Sequence, residues 1–463
     1  MIITATRPAG AAPARPRLTL FAASFGFLMV SLDATIVNVA LPTLGRDLGA
    51  GLTGLQWVVD GYVLTFAAFQ LIGGSLGDRL GARLAFTSGL GLFMAASLAC
   101  GLAVSPGMLI AARFVQGVGA AVQLPASLAM VRHAYTDADA RNRAVGVWAA
   151  AGGAAVAAGP VVGGLLLAWL GWRSLFLVNL LIGAVGLAAA GRAQPVPGGP
   201  RRVDLPGQAA VLAALGALTF ALIEGGSLGW ASPPVTAALA LAAAAGTAFV
   251  WWERRAAEPM LPPRLFACPA VSAATAAGFV QNLAYYGIVF LLSLFLQDEQ
   301  GHSALLTGLA FLPMSLASMA ANLYGGRLTA ARGPRVPLVG GQLLFAAGLL
   351  TLLAVGPGAP LWAVCPVTLL VGLGGGAAVP AMTSAVLDAA PAGHAGVAAA
   401  GLNTARQVGG AVGVALFGTL VAGDFLPGLR LSLLIAAAAL LAAASLTARW
   451  VPRPAGAALP AET

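Results

Sequence analysis

The chain has 463 residues, of which 59% are apolar and only 8% charged, and its mean hydropathy is +0.90. That composition excludes an ordinary water-soluble protein and leaves no room for a sizeable soluble domain. The net charge of +9 comes from Arg alone, because the sequence contains no Lys; these Arg are scattered between apolar runs, whereas a nucleic-acid partner requires one contiguous basic face.

Apolar runs of about 20 residues recur along the whole length, enough for helices to cross a ~30 Å hydrocarbon core. A tail, 1–17, carries Arg7, Arg15 and Arg17. The run after it is too long for a secretory signal and contains Asp33, so it reads as an uncleaved first helix. Six helices are predicted over 18–41, 55–77, 84–104, 107–131, 143–170 and 173–191, forming an N-terminal bundle over 18–191. Two more, 205–224 and 234–252, lie in a linker over 192–267. A C-terminal bundle over 268–449 follows, with helices over 268–297, 304–327, 336–355, 360–387, 395–422 and 429–449, and 450–463 form a second tail. The expected fold is all-α and membrane-embedded, with fourteen helices.

Arg placement tests that count, because Lys and Arg near span ends are retained on the cytoplasmic side. With both termini inside, only Arg46, Arg173 and Arg430 fall in outside loops, and Arg113 and Arg406 lie within spans. All other Arg fall in inside segments, although the inside loop near Asp388 to His394 has none. Localisation in a plasma or inner membrane is expected, with both tails cytoplasmic.

The chain also repeats itself. GGSLGDRLGAR (Gly73 to Arg83) is echoed by GGRLTAARGPR (Gly325 to Arg335), and GVGAAVQLP (Gly117 to Pro125) by GLGGGAAVP (Gly372 to Pro380) at a nearly equal offset. Two parallel six-helix repeats with a two-helix insert would give this pattern, and such repeats place a substrate site at their interface near mid-bilayer.

Ionisable side chains inside spans are the informative positions, since each costs about 2.5 to 3.5 kcal/mol on insertion scales unless partnered or wetted. Asp33, Asp60, Arg113 and Arg406 stand out. The first three share a similar depth. Burial and a nearby guanidinium act in opposite directions on a carboxylate's hold on its proton, which suits reversible protonation. Asp33 is the candidate proton carrier, with Arg113 tuning it; a static pair that only fixes helix packing is the alternative. Asp60 is read as serving an outer cavity or attracting a cationic substrate. Arg406 has no carboxylate at matching depth, so substrate, a carbonyl or water is left as its partner. Candidate cavity residues are Asn38, Gln116, Gln281, Asn282, Tyr285, Asn403 and Arg406, with Gln70, Gln123, Tyr286, Asn322 and Gln407 as further polar positions. Glu224, near an outer helix end, reads as interfacial.

GGAAVAAGPVVGG (Gly152 to Gly164) concentrates Gly in one span around Pro160. Small residues at this spacing allow close helix approach, which fits either a moving interface or a tight static pair. The turn Gly77-Asp78-Arg79-Leu80-Gly81 places opposite charges at an inside seam. Cys100, Cys268 and Cys365 show neither disulfide nor zinc spacing. A phosphate-binding loop requires Lys, so an ATP-driven pump is excluded and the energy must come from a gradient.

With these residues in view, the chain resembles the major facilitator superfamily, and within it the fourteen-helix drug:proton antiporters. LDATIVNVALP (Leu32 to Pro42) is similar to that group's first-helix motif. GGSLGDRLGAR resembles the superfamily's motif between helices two and three, with Ala82 in place of a usual basic residue. ARFVQGVGAA (Ala112 to Ala121) is similar to the helix-four motif, and GPVVGG, with Gly159, Pro160, Gly163 and Gly164, resembles the helix-five motif of antiporters. WVVDGYVLTFA and FALIEGGSLGW are similar to stretches of methylenomycin-type antibiotic-resistance exporters. The resemblance implies proton-driven export of a small organic compound, with Asp33 and Arg113 in the coupling machinery and Asp78, Arg79 and Arg83 at an inner gate. It implies no cofactor, no nucleic-acid partner and a monomer in the bilayer. Acidic residues that some multivalent-cation exporters carry in helices ten and thirteen are missing, which argues against a dicationic substrate. A nutrient-importing proton symporter and a membrane-embedded enzyme are the rival readings.

Overall fold

The computed structural model describes residues 15–199, 204–257, 259–391 and 394–452. The described residues form long helices: α1 (Pro16–Leu48), α2 (Leu52–Leu80), α3 (Ala82–Gly101), α4 (Pro106–Ala134), α5 (Ala138–Leu170), α6 (Arg173–Gly191), α7 (Leu205–Leu228) and α8 (Pro233–Glu253). Then come α9 (Pro269–Leu294), α10 (Ala304–Arg332), α11 (Arg335–Leu352), α12 (Cys365–Ala389), α13 (Ala395–Leu420) and α14 (Phe425–Trp450). Thirteen helices among the described residues are long and apolar enough to span a membrane. The remaining long helix, α13, has 26 residues, but Asn403, Thr404, Arg406, Gln407 and several Gly lower its hydropathy.

Helix ends follow local chemistry. Ser105 caps α4 by accepting from Met108 N at 3.3 Å, and Asp137 caps α5 by accepting from Ala140 N at 2.8 Å. That cap starts α5 five residues before the predicted 143, because a side-chain acceptor satisfies backbone donors that lipid cannot. The first helix also outruns its predicted end at 41. A 3-10 turn over Val37–Ala40 absorbs Pro42, which sits in the first turn of the stretch beyond and needs no donor there. Gly49 closes it in the left-handed region at φ 68°.

The packing repeats as the sequence does. In the first bundle α1 packs on α4, α5 and α6, α2 on α4, and α3 on α4 and α6. Adding eight to each helix number gives the second bundle: α9 on α12, α13 and α14, α10 on α12, and α11 on α12 and α14. The bundles meet through α2 with α13 and α5 with α10, a pair of contacts exchanged by the same pseudo-twofold relation. The insert helices α7 and α8 pack on each other, and α7 also lies against α2 and α13.

The face where α1 begins and α14 ends is the terminal face; the other is the far face. Hydrogen bonds between the two bundles that join described residues all lie towards the far face. Ser293 Oγ donates to Asn38 O at 2.8 Å, Gln297 Nε2 to Val39 O at 2.9 Å, and Gln56 Nε2 to Ala415 O at 2.8 Å. Gly164 of α5 meets Ala304 and Leu305 at the start of α10, and Gly308 packs on the Pro160 carbonyl. Towards the terminal face, Gly153 and Ala154 of α5 and Asn403 of α13 are exposed. The two halves are therefore sealed at the far face.

Close backbone approach inside a bundle needs Gly at particular points. A Cβ on Gly117 of α4 would collide with the Tyr62 carbonyl and Thr65 Oγ1 of α2, whereas Gly107 faces open space. Gly117→Val is expected to destabilise the purified protein by about 1–3 kcal/mol through overpacking, and Gly107→Ala to stay within about 0.5 kcal/mol of the parent. Thermal unfolding in detergent reads both, and equal midpoints would contradict the α2–α4 packing.

Candidate functional site

The N-terminal bundle is built around a charge pair that lipid alone would not tolerate. Asp33, on α1, is 0% exposed and Arg113, on α4, is 1% exposed. Arg113 Nη1 lies 2.5 Å from Asp33 Oδ2, the one ion pair between described residues. Asp33 Oδ1 accepts from Asn179 Nδ2 on α6 at 2.8 Å and from Gln116 Nε2 on α4 at 2.9 Å. Both amides also donate to Ser97 Oγ on α3, at 3.3 and 2.7 Å.

Arg113 has anchors that do not depend on Asp33. Its Nε donates to Val58 O on α2 at 2.9 Å and its Nη1 to Gln116 Oε1 at 2.7 Å. Its guanidinium carbon lies 4.3 Å from the centre of the buried Tyr62 ring. If Asp33 took up a proton, the Coulomb attraction would vanish while Arg113 kept a carbonyl, an amide oxygen and an aromatic face. The site can therefore exist with the carboxyl charged or neutral without leaving the guanidinium bare.

The sequence singled out Asp33, Arg113 and Gln116; the structure brings all three together, with Gln116 as a ligand of the carboxylate inside the bundle. Ser97, Asn179, Tyr62 and Val58 complete the site and were missed. None of them breaks an apolar pattern strongly enough to be seen: a Ser, an Asn and a Tyr in separate helices carry no shared spacing. Cys100 donates weakly to Gln116 Oε1 at 3.7 Å.

Asp60 stands apart. It is 0% exposed and neither carboxylate oxygen meets a donor among the described residues. One turn away on the same face, Gln56 bonds to α13, and one turn the other way Leu64 lies near Thr219 of α7 and Ala411 of α13. Asp60 thus lies where α2, α7 and α13 meet. Asn38 is buried, its amide bonded to Ala34 O and Thr35 O. Glu224 accepts from Trp57 Nε1 at 2.9 Å and Ser227 Oγ at 2.9 Å.

In the C-terminal bundle Gln281 is committed to Gly375 O at 2.9 Å. Tyr285 and Tyr286 are half-buried, with rings edge to face at 5.4 Å. Asn403 is exposed, and Arg406 and Gln407 are half-buried. Arg406 Nε meets no acceptor among the described residues.

The Gly run of α5 serves two contacts at once. Gly159 and Gly163 lie against Thr35 and Ile36 of α1, and Gly164 and Pro160 lie against α10 across the seam. At the terminal face, Asp78 O accepts from Gly199 N at 2.8 Å and Arg83 Nη2 donates to Gly191 O at 2.6 Å. Gly81, at φ 90°, leaves room for the Val196 carbonyl, so the segment leaving α6 straps the α2–α3 turn. Among the described residues no group of three or more His, Cys, Asp or Glu is placed to hold a metal ion.

Two pseudo-symmetric six-helix bundles, meeting at a seam sealed on one face and flanked by buried charge, define a membrane transporter and not an enzyme. The sequence profile described as Major Facilitator Superfamily matches residues 23–414 and 274–462, and the chain belongs to that family. It is 40% identical over 410 residues to a methylenomycin A resistance protein of Bacillus subtilis, covering 87% of each chain. It is 39% identical over 422 residues to a methylenomycin A resistance protein of Streptomyces coelicolor, covering 90% of this chain and 88% of that one. A bacterial homologue of the human lysosomal transporter Spinster, solved in an inward-facing and unoccupied conformation, shares the fold with a TM-score of 0.66 at 16% identity, over 96% of this chain and 98% of that one.

Removing single ligands should rank by what each leaves stranded. Arg113→Leu leaves a buried carboxylate without its counter-charge and is expected to cost about 3–5 kcal/mol, Asn179→Leu about 1–3 kcal/mol. Cys100→Ala, which removes only a long thiol contact, should cost less than either. Thermal midpoints of the three purified variants test the order, and a Cys100→Ala loss as large as that of Asn179→Leu would contradict it.

Proposed function

We propose that the protein is a proton-coupled exporter of a small organic compound, an antibiotic or other drug, working as a monomer in the plasma membrane with both termini in the cytoplasm. Support for the substrate class comes from the antibiotic-resistance relatives, and support for orientation from the cytoplasmic bias of Arg. On that orientation the far face is extracellular and the conformation is inward-open. Residues 18–191 and 268–449 are the two rocking bundles, and 192–267 the insert.

The observation that carries the reading is the position of Asp33 on α1. Within two turns, α1 carries the carboxylate at Asp33, lies on Gly159 and Gly163 through Thr35 and Ile36, and offers the Asn38 and Val39 carbonyls to Ser293 and Gln297. The 3-10 turn over Val37–Ala40 changes the helical bonding pattern where these carbonyls face α9. A charged Asp33 ties α1 to α4 and α6 while the extracellular seal is closed. Protonation removes the pull of Arg113 on α1, and that segment is then freer to part from α9.

Asp33 is dry in this conformation, so its proton exchanges when the bundles have moved and water reaches it. Asp78, Arg79 and Arg83 act at the cytoplasmic seam, and Asp60, Asn282, Tyr285, Asn403 and Arg406 serve the substrate pathway. One charge crossing 100 mV yields about 2.3 kcal/mol, so one proton sustains roughly a fiftyfold gradient of a neutral compound before any pH difference is added.

A susceptibility panel in a pump-deficient host, with and without a protonophore, should show resistance to at least one antibiotic that disappears when the gradient collapses. Asp33→Asn, expressed to the same level, is expected to lose that resistance by at least about tenfold, on the scale of one lost charge-assisted interaction. Full protonophore-sensitive export by Asp33→Asn would remove Asp33 from the coupling step and leave the pair a packing device.

A further inference from the structure

Arg406 carries a charge that no acid among the described residues pairs with. It lies about 16 Å along α13 from Ala395, taking 1.5 Å per residue, which is near mid-membrane depth. Arg113, the other Arg buried in a span, has a carboxylate, a carbonyl, an amide oxygen and an aromatic ring around it. Arg406 makes no hydrogen bond or ion pair among the described residues, and its Nε is buried without an acceptor.

The described acids of the C-terminal half are all remote from that depth: Asp298 and Glu299 lie in the turn beyond α9, Asp388 at the end of α12, and Asp424 before α14. The surroundings are shaped for Arg406 all the same. Gly278 of α9 makes room for its stem, since a Cβ there would lie 3.1 Å from Arg406 Cγ. Gly410, one turn on, packs against the Tyr286 ring. The polar side chains that α9 carries on from Gly278 are neutral: Asn282, one turn further, then Tyr285 and Tyr286, none of which makes a side-chain hydrogen bond among the described residues.

A guanidinium kept at this depth needs an anion, and a planar fork of donors suits a carboxylate or similar oxyanion. We propose that Arg406 anchors an anionic group of the transported compound, with the Tyr285 and Tyr286 hydroxyls and the Asn282 amide as neutral donors beside it. This assignment of substrate class rests on the exporter reading above. The N-terminal bundle then handles the proton, and the C-terminal bundle reads the charge of the cargo.

The test uses the full chain in phosphatidylcholine nanodiscs and three probes of one size: dansylglycine, which is anionic, its neutral amide, and the cationic dansyl-ethylenediamine. Binding is read from dansyl emission. Dansylglycine should bind about tenfold more tightly than the amide, the value of one charge-assisted contact, and the cation least. Arg406→Gln should bring the acid down to the affinity of the amide and leave the amide unchanged. Arg406→Lys keeps the charge without the fork, so the acid-over-amide ratio should fall about threefold; this variant decides the matter if Arg406→Gln does not fold.

Equal binding of acid and amide by the parent protein, preference for the cation, no binding of the acid, or an acid preference that stays undiminished in the variant that folds, each overturns the proposal. Replacing roughly a third of the lipid by phosphatidylglycerol separates cargo from lipid headgroup, since both offer an oxyanion. Undiminished acid binding supports a cargo site, and its loss assigns Arg406 to lipid and overturns the proposal. No gradient is present in these measurements, so export that ignores a protonophore would refute proton coupling while leaving the Arg406 result standing.

Discussion

The constraint on which the structure depends is the need to keep one carboxylate and one guanidinium together in an apolar bundle. Asp33 and Arg113 are each expensive alone in lipid, and their attraction repays that expense only with further hydrogen bonds on both. The surrounding network draws on four helices besides α1: Ser97 on α3, Gln116 on α4, Asn179 on α6, and Val58 O with Tyr62 on α2. The pair thereby fixes the relative depth of five helices. The Gly positions that let α2, α3 and α4 approach, such as Gly117, are what bring those ligands within reach.

The duplication has kept the packing and abandoned the chemistry. Helix pairs in the second bundle match those in the first, yet at the offset that aligns Gly117 with Gly372, the position of Arg113 is taken by Thr368, which bonds only within its own helix. The charge left in the second bundle is Arg406, on a helix whose partner in the first bundle, α5, carries the Gly–Pro run. Equal architecture with unequal charge means that one bundle holds a self-neutralised pair and the other an unneutralised cation. In the proposed mechanism a symmetric rocking motion then acts on two different ligands, a proton on one side and a solute on the other.

The fold was legible because lipid imposes a simple rule: backbone groups must be satisfied within each span, so length and hydropathy mark helices, and Arg marks the loops. Only α13 strains the rule, since Asn403, Thr404, Arg406 and Gln407 interrupt its apolar run. Asp33 and Arg113 were legible for the same reason, as the rare charges at matching depth. Asn179 and Ser97 were not, because a neutral polar group in a span costs little and signals little. Asp60 illustrates the limit: depth placed it with the other two, but depth carries no azimuth, and the structure turns it towards α7 and α13.

The insert shows how packing constrains motion. α7 lies across the α2–α13 seam and is tied to both sides: Gln208 Nε2 donates to Ala68 O of α2 at 2.8 Å, Trp57 of α2 donates to Glu224, and Thr419 Oγ1 of α13 donates to Leu222 O at 2.5 Å. The ties to α2 lie near both ends of α7, and the tie to α13 lies at the far face alone. A rotation that parts α2 from α13 at the far face must break Gln56 from Ala415, and α7 cannot stay bonded to both partners. Two bonds spread along a helix resist tilting better than one at its end, so α7 is held to the N-terminal bundle and the Thr419 bond is the one that yields. The insert therefore adds its far-face contact to the seal that Gln56, Ser293 and Gln297 form on that face.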